Sequence, residues 1–114
     1  MEIISKKYSV IHDDETNTIY CSGVMRLNGR QEYEPILQLF DKIVELEPLQ
    51  ITIKLQRLEA INSYGISMFG QFIFAIDRKK TIKLFLQGDK EIPWQQKWAK
   101  NFQRLMPTLQ FEWV

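Results

Sequence analysis

Between residues 50 and 105 the spacing of the apolar residues switches three times between two periods. That switching restricts the fold more than any other feature of the chain. Ile51, Ile53 and Leu55 alternate with Thr52, Lys54 and Gln56, the period of a strand. Ile66, Phe69, Phe72, Ile73 and Ile76 then recur at helical spacing, predicting a helix from Asn62 or Ser63 to about Arg78. Residues 81–87, Thr-Ile-Lys-Leu-Phe-Leu-Gln, read as a strand closed by Gly88. Pro93 opens a further helix with Trp94, Trp98, Phe102 and Leu105 on one face. Strands that alternate with helices require crossover connections, hence a parallel core with right-handed crossovers.

The flanks complete the pattern. Residues 7–12 and 18–26 read as two strands joined by Asp13-Asp14-Glu15-Thr16-Asn17, a solvated turn. Adjacent carboxylates rarely converge on one ion, so this loop calls for no metal. Asn28-Gly29 marks the next turn. A helix follows on the stripe Ile36, Leu39, Phe40 and Ile43, with Pro35 in its first turn, Glu32 and Glu34 at its positive end, and Pro48 beyond its end. Residues 109–114 read as a last short strand. The expected architecture is α/β, a single domain over residues 1–114. Helices pack on a mixed sheet in the order β-β-α-β-α-β-α-β, with the opening hairpin as its antiparallel edge.

The residue inventory argues against chemistry and for binding. One His and one Cys cannot build a zinc cluster, and a Ser-His-Asp triad would have to recruit His12 from beside the acidic turn. There is no phosphate-binding loop and no dinucleotide fingerprint. The single Cys21 excludes an internal disulfide, and residues 1–7 lack a signal peptide's apolar stretch. No apolar run is long enough to span a membrane. A cytoplasmic protein is the expectation, with no cofactor and no membrane partner. Residues 1–60 carry 7 basic and 10 acidic residues, and residues 61–114 carry 8 and 4. The basic half has plain duties: Arg78, Lys79 and Lys80 sit at a helix C-terminus, and Lys97, Lys100 and Arg104 lie opposite the Trp-rich face. Trp94 and Trp98 with Phe102 read as packing rather than base-stacking platforms, so nucleic acid is not the expected partner.

The most specific stretch is residues 50–69, in which a strand passes through a short link into Asn62-Ser63-Tyr64-Gly65 and an apolar helix. It resembles the STAS domain, the module of bacterial anti-sigma factor antagonists and sulfate-transporter tails. The family pattern is a buried strand, a short link, then Asp-Ser-(Ser/Thr)-Gly and an apolar helix. Leu55 falls on the strand's last apolar position and Ile61 on the apolar residue before the motif, without a gap. The chain departs from the pattern at Asn62 for Asp, Tyr64 for a small hydroxyl residue, and Ser67 for Gly or Ala. Lys54 and Gln56 stand where the family often has Asp and Ser.

The resemblance implies a stand-alone regulatory module, not an enzyme, that binds a serine kinase of the anti-sigma type or an opposing serine phosphatase. It implies phosphorylation at Ser63 and a docking surface over Asn62, Ser63, Tyr64, Gly65, Ile66 and Met68. Residue chemistry alone supports a second role, because Ser and Asn are favoured helix N-caps. Cap and phosphosite are compatible at Ser63. A phosphate there adds about −1.5 to −2 charges beside unpaired backbone N–H groups. The alternatives are a constitutive interaction or assembly module without phosphorylation, and a small-ligand-binding domain.

Overall fold

A computed structural model describes all 114 residues. The elements run β1 (Glu2–Ile4), β2 (Tyr8–Asp13), β3 (Thr18–Met25), α1 (Gly29–Glu45), β4 (Gln50–Ile61), α2 (Ser63–Lys79), β5 (Lys83–Gly88), α3 (Pro93–Leu105) and β6 (Gln110–Trp113). They form one six-stranded sheet in the order β1-β2-β3-β4-β5-β6. Pairing is antiparallel from β1 to β3 and parallel from β3 to β6, the mixed α/β sheet that the periodicity predicts. The structure adds β1, a three-residue strand too short to show a period. No helix is long and apolar enough to cross a membrane.

Each parallel connection steps to the neighbouring strand in the same direction. Right-handed crossovers therefore put α1, α2 and α3 on one face of the sheet. Burial agrees: Val10, Ile19, Ile51, Ile53, Leu55, Leu84 and Leu86 are buried under the helices. Thr52, Lys54, Gln56, Phe85 and Gln87 point the other way and are only half-buried. Within the helical layer Phe40 of α1 stacks on Phe72 of α2 at 4.1 Å between ring centroids and meets Phe69 at 5.7 Å.

Three local readings change. Pro35 lies inside α1, well past its first turn, because the helix already begins at Gly29; the ring faces solvent. β4 does not stop at Gln56 but runs to Ile61. Tyr20 pairs with Lys54 and Ser22 with Arg57, then Gly23 with Leu58 and Val24 with Ala60, so β4 gains one residue at each of two bulges. The first bulge leaves Leu55 and Leu58 both buried and Gln56 and Arg57 on the outer side, which breaks the period of two. The third change is the face of α3. Its buried residues are Gln95, Ala99 and Phe102, while Trp94 and Trp98 pack half-buried beside them and Leu105 is exposed. Pairing between β4 and β5 ends at Lys54, and the carbonyls beyond need donors. Gln95 Nε2 donates to Leu55 O at 2.6 Å and Leu58 O at 3.1 Å, and Trp94 Nε1 donates to Leu58 O at 3.1 Å.

His12 sits in β2, buried at 9% exposure, and its Nε2 has no hydrogen-bond partner. Burial, and next the N-terminal ammonium group, hold its pKa below 6.5 against the opposing pull of Asp14 and Asp13. The unfolded chain therefore takes up this proton first as pH falls. His12 leaves stability unchanged well above 6.5 and removes it progressively below, towards its folded pKa. Urea unfolding across that range should show this loss in wild type and a shallower one in His12→Gln. Equal pH slopes would contradict it. Cys21, wholly buried in β3, has its thiol pushed up to about 12 by desolvation and is unreactive in the folded state.

Candidate functional site

The Asn62–Met68 segment lies where β4 turns into α2. The backbone of Asn62 is extended, and α2 starts one residue later. Asn62, not Ser63, is the N-cap: its Oδ1 accepts from the Gly65 N–H at 3.0 Å. The same oxygen accepts the Tyr33 hydroxyl of α1 at 2.7 Å, and Nδ2 donates to Leu27 O at 2.7 Å. The Tyr33 hydroxyl is 3.1 Å from Met25 O, which also receives the Asn62 N–H at 3.2 Å. One amide thus ties the end of β3, the start of α1 and the start of α2. Desolvation raises the Tyr33 pKa, so the phenol keeps the proton that this network uses.

An acidic residue at position 62 would fit this network poorly. Tyr33 and Gly65 use an acceptor, and Leu27 O uses a donor; an ionised carboxylate offers acceptors alone, whereas the amide offers both. Asn at this position thus has a structural reason in this chain.

The remaining residues divide by exposure. Ser63 is the first helical residue and is exposed; its side chain makes no hydrogen bond within the chain. Neither its N–H nor that of Tyr64 is paired, which leaves the positive end of α2 open around the hydroxyl. Tyr64 is 55% exposed, Ser67 is exposed and Ile66 half-buried. Met68 is 2% exposed and packs into the core, so it does not belong to the docking surface expected over this segment. Gly65 is buried as well. A Cβ there would lie 2.5 Å from Ile61 Cγ1 and 2.7 Å from the Tyr33 hydroxyl. Its smallness serves internal packing, not the approach of a partner. A groove of about 210 Å³ runs beside Tyr64 and Ser67 and contains Arg30 of α1. The sequence showed no sign of Arg30, because only the packing of α1 on α2 brings it here.

No family model and no curated protein matches the chain. Its fold is similar to that of a chain in a solved complex. That crystal structure holds the diguanylate cyclase SiaD with its activator SiaC from Pseudomonas aeruginosa. The match has a TM-score of 0.73 at 10% identity and covers 100% of this chain and 99% of the other. At that identity the likeness is one of fold, and it extends over the whole chain.

Proposed function

We propose that this chain is a non-catalytic regulatory module that binds a protein partner through the surface of Ser63, Tyr64, Ile66 and Ser67. In this reading phosphorylation at Ser63 weakens or retargets the binding. The partner is a serine kinase of the anti-sigma type, which writes the phosphate, or a serine phosphatase, which removes it. The observation that carries the reading is the state of Ser63. Its hydroxyl is exposed and has no structural duty, on a helix start that Asn62 already caps. The fold supports it, since the solved complex of similar fold pairs an enzyme with its activator. A phosphate of about −1.5 to −2 charges would settle against the free N–H groups without disturbing the cap. It would change the surface charge where Tyr64 offers a large aromatic contact.

The test is affinity capture from native lysate on three baits, with the modification state of Ser63 mapped by mass spectrometry. Wild type and Ser63→Ala should retain the kinase or phosphatase, and Ser63→Asp should retain at least about tenfold less. Equal retention on all three, with Ser63 unmodified, would make the chain a constitutive adaptor.

A further inference from the structure

The outer face of the sheet has no helix over it and plays no part in the proposed function. We propose that this face binds a small phosphate monoester in the depression between Tyr20, Lys54 and Arg57. The depression is about 500 Å³, within the range of metabolite-sized sites, and includes Ser9, Ser22 and Gln56.

The bulge in β4 creates the site. Strict alternation would send Arg57 to the helix side, opposite Lys54. The extra residue between the Tyr20–Lys54 and Ser22–Arg57 pairs puts both cations on the outer face. No carboxylate lines the depression, and neither Lys54 nor Arg57 forms an ion pair. The acid at the end of the nearby side-chain ladder, Glu112, receives the Gln87 amide, which in turn accepts from Gln56. It lies two strands from Lys54, about 10 Å away at normal strand spacing. Lys54 Nζ is placed 5.4 Å over the Tyr20 ring, which is 41% exposed. Ser9 and Ser22 share one hydrogen bond of 2.6 Å, which uses one of their two hydroxyl protons and leaves one to donate outwards.

These groups match one chemistry. The two positive charges balance a phosphate monoester dianion. The guanidinium fork, the ammonium group and the spare hydroxyl proton suit an oxyanion with several acceptor oxygens. The free part of the Tyr20 ring offers a face to the organic part of the ester. Lys54 and Gln56, which depart from the family pattern, both lie in this depression.

The test is an NMR titration of the full-length ¹⁵N-labelled protein with phenyl phosphate, inorganic phosphate and the peptide Gly-phosphoSer-Gly. Phenyl phosphate should give saturable shifts at Tyr20, Ser22, Lys54 and Arg57, with weaker binding of inorganic phosphate. Lys54→Gln and Arg57→Gln should each weaken binding at least about tenfold while spectral dispersion is retained. Ser63→Asp should leave it unchanged, which separates this site from the α2 surface. The proposal fails if shifts do not saturate, if they map elsewhere, or if the two charge-removing variants bind as wild type does. Tighter binding of the phosphopeptide would overturn the small-molecule assignment.

Discussion

Replacing Asn62 by Ala should lower stability by about 3 kcal/mol, read as a fall in Tm of roughly 10 °C. The cap contributes about 1 kcal/mol, and the Leu27 carbonyl, left without its donor, adds about 1–3 kcal/mol, while the Tyr33 hydroxyl falls back on Met25 O at 3.1 Å. The more discriminating variant is Asn62→Asp. It keeps the acceptor for Gly65 N–H and Tyr33 and gains about 0.3–1 kcal/mol from the helix dipole. It also turns the donor that meets Leu27 O at 2.7 Å into a second acceptor. The lost bond and the facing oxygens outweigh the dipole gain, so Asn62→Asp should melt between wild type and Asn62→Ala. A melting temperature at or above wild type would show that the Leu27 contact is dispensable. In a double-mutant cycle, Asn62→Ala and Tyr33→Phe should couple by about 1 kcal/mol or more.

Gly23→Ala should be the more damaging substitution, at about 3–5 kcal/mol, because the backbone itself must move. Gly23 has a φ of +91°, and an added Cβ would lie 2.1 Å from Lys7 O and 2.9 Å from Tyr8 Cα. Both atoms are backbone, so no rotamer change relieves the clash. Lys7 O also accepts the Val24 N–H at 2.7 Å, and Tyr8 pairs with Gly23, so the β2–β3 ladder has to part to make room. Gly29→Ala is the matching control. Its φ is +77°, but an added Cβ would have nothing within 4 Å. Only the left-handed backbone is penalised there, at about 1–2 kcal/mol. Chemical denaturation of the two variants separates the steric cost from the conformational one. Equal losses would mean that the Lys7 carbonyl yields easily.

The two periods in the apolar spacing determined the fold class and the parallel core, because burial on one face imposes those periods directly, and turn residues marked off the five expected strands. The start of α2 was legible too, since the helical stripe from Ile66 onwards follows Asn62-Ser63, residue types favoured at a helix N-terminus. Which residue capped it was not, because Asn and Ser both suit a cap and the choice rests on Tyr33 and Leu27, 29 and 35 residues away. The end of β4 was misread for a related reason: a bulge erases the period of two, and α3 stabilises it through Gln95 and Trp94. Gln95 is polar at a buried position, so spacing alone favoured the tryptophans as the inward face. Exposure decided the rest of the site. Ser63 and Met68 belong to one sequence motif, yet α2 turns the first to solvent and the second into the core. The outer face of the sheet was equally hidden. That Lys54 and Arg57 share it follows from a register shift between β3 and β4, a pairing across more than thirty residues that no local pattern encodes.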